Sequence, residues 1–415
     1  MGTNQRFHAS PEYYLEHSLK LLNDAEGSGR ITAEDKRIIS EFIEETAATS
    51  QISPTRRYKL INILIHNRAY HPPFKECEIS DIYRAIESIK TSKNQWGRQI
   101  TKNTISDKIR MVKRIFVWMA ENGYTDIDLR KLQKIKVPAF DRNTISAEDL
   151  LSEEEVKRMI ESCTNARDRA LISTLYEGGF RIGEIGNLLW SDIEFTDWNA
   201  TAKTSEKTGK ERFIPLVASR EYLAQWKNDY PLQIKPDSFV FITATTKKPL
   251  QYQGLVKQIR KIAARAGITK HIKPHIFRHS RITHLCRAGC NESAIKQMMW
   301  GDVSTNMLKV YLHLTKDDVA EQIAKINGIE LHSKEESETQ GKKFKPIQCP
   351  RCARFNPPTA KFCKCGAPLT NEGKGKIDLI LDIVRKHMTE NPEIMREVFY
   401  EMEMQQKEQQ GKKEY

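Results

Sequence analysis

The sequence lacks the features that mark membrane-spanning and exported proteins. None of its apolar runs approaches the roughly 18 residues that a membrane-spanning helix needs. Residues 1–9 are polar and contain no apolar signal core, so we expect a protein that is not exported. No internal repeat is present either. The sequence therefore predicts a soluble protein that works in the cytoplasm, in association with the nucleoid if its partner is DNA.

Cysteine is scarce, with eight residues in 415, and its distribution is uneven. Four cysteines are scattered among helical patterns, at Cys77, Cys163, Cys286 and Cys290. The other four crowd into one short segment, at Cys349, Cys352, Cys363 and Cys365. This distribution is typical of a protein from a reducing compartment that carries one metal site, and it argues against a disulfide framework.

Acidic residues are outnumbered by basic ones, 54 to 67, which gives a formal net charge of +13 and a pI of about 9.2. Such a chain attracts polyanions. Ribosomal, membrane-surface and heparin-binding proteins share this balance, however, so charge alone supports nucleic acid only weakly. At 415 residues the chain is too long for one core, and we expect two main domains with small appendages.

Residues 1–143 are predicted to be almost entirely helical. Thr32 to Asp35 resembles a capping box at the start of one helix. A second helix is predicted from Thr104 to Asn122, with an apolar stripe along one side. Its other side either lies along DNA phosphates or forms a solvated surface. The basic residues there are Lys108, Arg110, Lys113 and Arg114.

Residues 136–143 break the helical pattern and are predicted to link two domains. A new helix begins after Ser152, with acidic residues in its first turn. From there, residues 150–330 mix helices with short strands, such as 213–216 and 238–242. We therefore predict a mainly α protein whose second domain is α+β, with a small antiparallel sheet.

The last part of the chain divides into three predicted segments. Residues 331–346 are polar and charged, which indicates a flexible linker. The cysteine segment follows at 347–370. Residues 375–415 form an amphipathic tail, in which Asn391-Pro392 is typical of a helix restart, and we expect this tail to pack against another surface. Its first apolar stripe consists of Ile377, Ile380, Leu381, Val384 and Met388.

Two turns in the predicted α+β domain carry cations suited to phosphate chemistry. Arg181 follows a glycine pair at a helix start, where its guanidinium and free backbone N–H groups can hold an oxyanion. An ordinary surface salt bridge is the alternative. Lys207 lies near the tip of a hairpin predicted from Lys203 to Pro215. A lysine there can enter a cleft and donate a proton, or the turn is simply solvated.

Two predicted helices carry further candidates. His275 and Arg278 lie three residues apart after Pro274, so they project from one face of a helix start. An H-x-x-R pattern alone is common by chance. After Ser304, Tyr311 belongs to an apolar stripe with helical spacing. That position is typical of a core tyrosine, and equally of a phenol that faces a shared cleft.

In order and context, these four elements resemble the catalytic domain of tyrosine recombinases, the phage integrase family, over residues 150–330. Residues 1–143 resemble the family's DNA-clamping core-binding domain by position and class. The cysteine segment and the tail lie outside the family's shared core, and they resemble the extensions of archaeal integrase-like proteins. The matching segments are 167–193, 207–216, 274–285 and 304–314.

The resemblance implies a role for each candidate. Arg181 and Arg278 correspond to the two phosphate-binding arginines, and Lys207 to the hairpin lysine. His275 corresponds to the histidine of H-x-x-R, and Tyr311 to the nucleophile. Two further positions, Glu184 and Asp192, correspond to residues that support the fold around the first arginine.

One position departs from the family pattern. The family has Gly-His or Gly-Trp a short distance before the tyrosine, whereas this chain has Trp300-Gly301-Asp302. A carboxylate beside a phosphodiester would repel it. We therefore expect Trp300 to supply the indole N–H and Asp302 to turn away.

The resemblance also implies a reaction, the cleavage and rejoining of DNA through a 3′-phosphotyrosyl intermediate. The arginines stabilise the pentacoordinate phosphorane, Lys207 protonates the leaving 5′ oxygen, and His275 acts as a base or hydrogen-bond partner. The covalent bond conserves the energy of the broken ester, so no ATP and no catalytic metal are expected. The family acts as four protomers on two DNA sites, which implies a homo-tetramer.

The cysteine segment offers four thiolates for one tetrahedral ion, and structural zinc is the expected one, with chance clustering as the alternative. Its second pair is C-x-C, where zinc ribbons usually have C-x-x-C, which tightens the turn. Because four thiolates leave no open coordination position, catalysis there is not expected. Flanking basic residues indicate either an accessory DNA contact or a protein-docking surface.

Two other functions remain open at this point. A type IB topoisomerase-like DNA relaxer uses a similar set of residues, although the short hairpin and modest chain length favour a recombinase. A non-cleaving DNA-binding protein with the recombinase fold would explain the irregularity at 300–302. A helix predicted from Asp317 to Asn327 either docks on a neighbouring protomer or caps its own domain.

Overall fold

The computed structural model of the chain describes Phe7 and residues 10–141, 147–205, 211–311 and 344–390. Within these ranges helices dominate, and two small antiparallel sheets are present. The prediction of a mainly helical protein with an α+β part is thus confirmed. The chain divides into two compact units, Met1–Ser146 and Ala147–Tyr415.

The first unit is helical because apolar stripes and capping residues agree along the chain. Thr32 and Asp35 form the predicted capping box, and Ser10 and Ser53 cap helices whose first residue is proline. The helices are α1 (Pro11–Gly27), α2 (Ala33–Ser50), α3 (Pro54–Asn67), α4 (Ile79–Thr91), α5 (Lys102–Glu121) and α6 (Leu129–Gln133), with 3-10 turns at Arg68–Tyr70 and Phe74–Glu76.

Helix α5 buries the predicted apolar stripe, including Ile109 and Phe116, in the core of this unit. Its basic side is a structured surface. Lys108 Nζ donates to Tyr70 Oη at 3.0 Å, and Lys113 Nζ donates to the carbonyls of residues 133 and 135 at 2.6 and 2.8 Å. Arg110 pairs with a carboxylate at 3.0 Å. These cations therefore already have partners within the unit.

The second unit consists of further helices and both small sheets. Its helices are α7 (Glu153–Glu161), α8 (Ala166–Glu177), α9 (Ile182–Asn187), α10 (Arg220–Asn228), α11 (Tyr252–Arg265), α12 (Pro274–Arg287), α13 (Glu292–Trp300) and α14 (Asn371–Glu390). Its 3-10 turns are Ala147–Asp149, Trp190–Asp192 and Met307–Val310. Strands β1 (Ile193–Phe195), β2 (Ala200–Ser205) and β3 (Glu211–Leu216) form one sheet in that order, and β4 (Ile347–Gln348) pairs with β5 (Phe355–Asn356).

The predicted hairpin is present as β2 and β3, paired from Ser205 opposite Glu211 to Ala200 opposite Leu216. The turn between them lies outside the described residues. The strand predicted at 238–242 is wrong, because this segment makes only isolated bridges at Phe239 and Ile242. The partner of Ile242 is Pro249, which has no N–H with which to extend a ladder.

Helix α8 is buried along nearly its whole length and organises the turns around it. At its last residue, the Glu177 carboxylate accepts hydrogen bonds from the backbone N–H groups of Val217, Ala218 and Ser219, at 2.9, 2.9 and 2.7 Å. These donors lie just before α10, so a buried carboxylate joins the end of α8 to the end of the hairpin. It holds in place the glycine turn that follows Glu177.

The cysteine segment is anchored to the second unit. Phe344 is only 4% exposed, and its ring meets that of Tyr176 edge-on at 5.1 Å. Its N–H donates to Glu153 at 3.0 Å, and Tyr222 Oη contacts Thr359 Oγ1 at 2.6 Å. The flexibility expected of 331–346 therefore does not extend to Phe344, and positions 331–343 lie outside the described residues.

Helix α14 contains the start of the predicted amphipathic tail. Its apolar residues Ile380, Leu381 and Val384 are exposed, so within the described part of the chain the expected packing partner is missing. The predicted restart at Asn391 and the helix predicted from Asp317 to Asn327 lie outside the described residues. Among the helices that are described, none is long and apolar enough to span a membrane.

Candidate active site and metal centre

Arg181 stands at the N-terminus of α9, as its glycine-turn context predicted. It is the N-cap residue, and its backbone N–H donates to Glu184 Oε2 at 2.7 Å. Its Nη1 donates to Glu184 Oε1 at 2.9 Å, and its side chain is 34% exposed. The ion pair thus orients a guanidinium that still faces solvent at a helix start.

Glu184 also forms an ion pair with a second arginine, Arg212. Arg212 is 0% exposed and lies 2.5 Å from Glu184 Oε2 through Nη2. Its Nη1 donates to the carbonyls of Met298 and Met299, at 2.8 and 2.7 Å. Arg212 therefore ties β3 and α9 to the end of α13. The sequence analysis assigned it no role, although its alternation with the buried Ile214 and Leu216 marks it as inward-facing.

Arg278 lies on α12 with only 5% of its surface exposed. Its Nη1 donates to the Gly179 carbonyl at 2.8 Å, and its Nη2 to the Met299 carbonyl. Burial, followed by the positive charges of Arg181 and Arg212, lowers the pKa of Arg278 to about 9. The side chain stays charged at neutral pH, in a cluster of cations that a phosphate would stabilise.

Gly179 is required where Arg278 docks. Its φ is +56°, in the left-handed region, and a Cβ there would lie 2.8 Å from Met299 Sδ. No other residue type combines this conformation with this close approach. The glycine turn thereby presents its carbonyl to the second arginine and leads directly into the first.

His275 and His279 lie one helical turn apart on α12. His275 is exposed in the first turn, and partial desolvation, with the charges of Arg278 and Arg181, lowers its pKa. His279 is more enclosed, and burial together with the neighbouring His275 and Arg278 lowers its pKa to about 4. Both imidazoles are therefore neutral at neutral pH and can accept a proton or a hydrogen bond.

Tyr311 directly follows the 3-10 turn Met307–Val310, where a continuing helix was expected. Leu308 is the buried residue of this turn, whereas Met307 is exposed. The phenol is half-buried, and its Oη lies 2.5 Å from His279 Nδ1. Burial raises the pKa of Tyr311 to about 12, against the opposing effect of the Arg278 charge. The hydroxyl thus points to α12, the helix that carries His275 and Arg278.

Trp300 and Asp302 flank Gly301, whose φ of +64° ends α13. The Trp300 ring stacks on the Arg278 guanidinium at 5.3 Å and lies 6.4 Å from the Tyr311 ring, between centroids. Asp302 Oδ1 accepts hydrogen bonds from the backbone N–H and the hydroxyl of Ser304, at 2.9 and 2.6 Å. This carboxylate therefore caps the turn that leads to Tyr311.

Arg278 is the centre at which the expected residues meet. Arg181 and Tyr311 lie close enough to affect the pKa of Arg278, Arg278 in turn lowers the pKa of His275, and the Trp300 ring stacks on its guanidinium. Lys207, the sixth expected residue, lies outside the described residues. Such a cluster can bind an anion and present a phenol to it.

The four expected cysteines come together as a candidate metal centre. Their Sγ atoms all lie within 4.8 Å of one another. The Cys349–Cys365 and Cys352–Cys363 pairs are each separated by 3.6 Å. Zinc with sulfur ligands at about 2.3 Å gives an S–S edge of about 3.8 Å, so the thiol set fits a tetrahedral ion.

The short C-x-C spacing is accommodated by Gly366. Its φ of +83° lets the chain turn back, and its N–H donates to the Cys363 carbonyl at 2.9 Å. The backbone N–H of Cys365 lowers the pKa of the Cys363 thiol, which favours the thiolate that a metal binds. The tight turn therefore suits a metal site.

Comparison with known proteins identifies the family. Residues 149–318 match the phage integrase family. Tyrosine recombinase XerC of Oceanobacillus iheyensis is 27% identical over 260 residues, which cover 59% of this chain and 80% of that protein. Residues 149–318 therefore form a domain of the phage integrase family, to which the tyrosine recombinases belong. Tyrosine recombinase XerD of Staphylococcus saprophyticus is 30% identical over 197 residues, 45% of this recombinase and 63% of XerD.

A solved structure has the same fold. The XerH site-specific recombinase bound to its difH substrate, in a pre-cleavage complex, has a TM-score of 0.52 at 17% identity. The match covers 78% of the present recombinase and 90% of XerH. At this identity the likeness shows the fold. The match to the phage integrase family and the Xer relatives show that the protein is a tyrosine-type site-specific DNA recombinase, an enzyme that breaks and rejoins DNA strands.

Proposed function

We propose that Tyr311 is the nucleophile of this recombinase and that the residues around Arg278 hold the scissile phosphate. The observation that carries the proposal is the position of the Tyr311 hydroxyl against α12, within electrostatic reach of Arg278. Arg181 supplies the more accessible of the two guanidinium groups. Two arginines can bind the non-bridging oxygens of a phosphodiester and stabilise the charge of the phosphorane.

The proposed cleavage step is a transesterification. Tyr311 Oη loses its proton and bonds to phosphorus, while the bond from phosphorus to the 5′ oxygen breaks. Neutral His275 accepts the proton that the Tyr311 hydroxyl loses, and Lys207 gives a proton to the leaving 5′ oxygen. The product is a 3′-phosphotyrosyl bond, and attack by a 5′ hydroxyl in the reverse direction rejoins the strand.

Trp300 is the residue we assign to the position where relatives have histidine or tryptophan. Its ring stacks on Arg278, so an indole that can donate a hydrogen bond lies next to the cation cluster. The Asp302 carboxylate is engaged by Ser304, which reduces its repulsion of a phosphate. This arrangement favours a cleaving enzyme over a DNA-binding protein that has lost its chemistry.

DNA is the partner of the recombinase, and we propose that four protomers assemble on two double-stranded sites. We also propose that the thiols of Cys349, Cys352, Cys363 and Cys365 hold a structural zinc ion. The support is their fit to tetrahedral geometry. We propose further that the protein acts in the cytoplasm in association with the nucleoid, because its substrate is DNA.

A suicide duplex, nicked next to the cleavage site so that the 5′-hydroxyl fragment is lost, tests the proposed nucleophile. The wild-type protein should accumulate a covalent protein–DNA adduct, and Tyr311→Phe should reduce it by about three orders of magnitude or more. Tyr252→Phe, which changes an exposed tyrosine on α11, is the matched control and should leave the adduct unchanged.

Each alternative function has its own outcome in this assay. DNA binding without any adduct would favour the non-cleaving protein. An adduct with relaxation of supercoiled plasmid, but with no exchange of strands between two labelled duplexes, would favour a topoisomerase-like enzyme. Exchange of strands supports the recombinase.

A further inference from the structure

We propose that His279 is a positioning residue for DNA cleavage, which holds the Tyr311 hydroxyl through Nδ1 in the orientation used for attack. The inference rests on the proposed function, in which Tyr311 is the nucleophile. His279 lies outside the set of residues that the sequence analysis assigned to the site. Its role follows from its contacts with Tyr311.

Two independent contacts join the side chains. His279 Nδ1 lies 2.5 Å from Tyr311 Oη. The two rings also stack, with centroids 5.5 Å apart and an angle of 29° between their planes. A hydrogen bond at the end of the phenol and a ring contact along its side restrict both side-chain torsions of the tyrosine, which a single contact would not do.

His279 also occupies the right place on α12. It follows Arg278 directly and lies four residues after His275, so the phosphate-binding arginine and the tyrosine contact are fixed by the same helical turn. The Tyr311 backbone is held as well, since its N–H donates to the Leu308 carbonyl at 2.9 Å. Tyr311 and Leu308 pack in one apolar cluster with Ile282 of α12.

The protonation states of the two groups agree with a positional role. His279 has a pKa of about 4, lowered by burial and then by His275 and Arg278, so the ring is neutral at neutral pH. Tyr311 has a raised pKa of about 12, so its phenol is protonated. The phenol O–H can therefore donate to Nδ1. The imidazole is too weak a base to remove its proton before DNA binds.

Holding the phenol in one orientation benefits catalysis through proximity. If the tyrosine sampled several rotamers, only a fraction of the molecules would have the hydroxyl aligned with the phosphate, and cleavage would be slower. Because the hydroxyl is held by His279, the residue next to Arg278 on α12, the arginine that binds the phosphate and the group that attacks it are placed relative to each other before DNA binds.

A crossed pair of substitutions separates hydrogen bonding from packing. His279→Asn keeps an acceptor at the δ position but loses most of the ring volume, whereas His279→Phe keeps the ring and loses the acceptor. We expect His279→Phe to slow single-turnover adduct formation at least tenfold at saturating DNA. His279→Asn should stay within threefold of wild type, and the DNA dissociation constant should change less than twofold for both.

A packing role would give the opposite order, with His279→Phe active and His279→Asn impaired, and that result would overturn the proposal. Equal rates for wild type and both variants would also overturn it. His279→Gln, whose acceptor lies one bond further out, should resemble His279→Phe. A pH–rate profile that changes shape in His279→Phe would make the imidazole a proton acceptor and would contradict a positional role.

Tyr311→Phe in the same series separates this inference from the proposed function. If Tyr311→Phe still forms the adduct, the assignment of the nucleophile fails. If Tyr311→Phe abolishes the adduct while His279→Phe cleaves at the wild-type rate, the nucleophile stands and only the positioning role fails.

Discussion

At the scale of single residues, two buried arginines stabilise the candidate active site. Arg212 and Arg278 are almost inaccessible to water, and both donate to the Met299 carbonyl. Burying a cation is costly unless its N–H groups are satisfied. Here the partners are a carboxylate and main-chain carbonyls at the end of α13, so the end of this helix is fixed by the two arginines that surround it.

The sequence predicted the residues that carry recognisable motifs, and it missed those whose importance depends on a distant partner. Arg181, His275, Arg278 and Tyr311 were identified from four short segments. His279 was missed because its partner lies 32 residues away, and neither motif contains the pair. The alternation along β3 is a signal that Arg212 faces inward, but it does not name Glu184 as the partner.

Gly179 provides a test at this scale. Alanine there must adopt a positive φ and place its Cβ against the buried Met299. We expect Gly179→Ala to lower the free energy of unfolding by about 2–4 kcal/mol, measured by urea denaturation. It should also slow adduct formation, since the glycine carbonyl that Arg278 binds would shift.

The matched control is Gly289→Ala. Gly289 also has a positive φ, +72°, but nothing lies within 4 Å of the position of its Cβ. This change should cost only about 1 kcal/mol and leave cleavage intact. Equal losses of stability and cleavage in the two variants would show that the approach of Met299 to Gly179 has no special importance.

At the scale of elements, capping residues predicted where helices begin, whereas an apolar stripe alone did not predict whether a segment is a helix. The capping boxes at Thr32 and Ser152 begin helices as predicted. The stripe that contains Tyr311 was predicted to be a helix that starts at Ser304, yet a 3-10 turn precedes the tyrosine. Asp302 accepts hydrogen bonds from the N–H and hydroxyl of Ser304. Such local side-chain bonds compete with helix formation, and the spacing of apolar residues does not reveal them.

The cysteine segment gives the prediction for this scale. We expect the purified full-length protein to contain one zinc ion per chain by elemental analysis. Cys363→Ser should lower that content by at least half and make the region around residues 344–370 sensitive to protease, because four ligands define the tetrahedral site.

Cys286→Ser serves as the control, since Cys286 is a half-buried thiol outside the cluster. It should leave both the zinc content and the protease pattern unchanged. Two results together would contradict a structural ion: purified wild-type protein that contains no metal, and a protease pattern of Cys363→Ser that is the same as that of wild type.

At the scale of the whole molecule, the residues described from Phe344 onward pack on elements of the unit that carries the candidate active site. Phe344 is buried against Tyr176, and Tyr176 Oη contacts His284 on α12 at 2.7 Å. The same helix carries His275, Arg278 and His279. Phe344, which precedes the cysteine segment, is therefore connected through Tyr176 to the helix that carries three of the proposed site residues, a link that no local sequence pattern indicated.

Assembly is the prediction at this scale. With two duplex sites and Tyr311→Phe to prevent turnover, sedimentation should show a complex of four protomers and two duplexes. Salt should weaken it steeply, since basic residues bind phosphates. A complex that never exceeds one duplex, at protein concentrations that saturate both sites, would contradict the tetramer.

The most direct test of the central claim is to identify the amino acid joined to DNA. The adduct trapped on a nicked duplex should be digested with nuclease and protease and its peptides sequenced by mass spectrometry. The account predicts a nucleotide attached through a 3′ phosphate to Tyr311. Attachment to any other residue would contradict it.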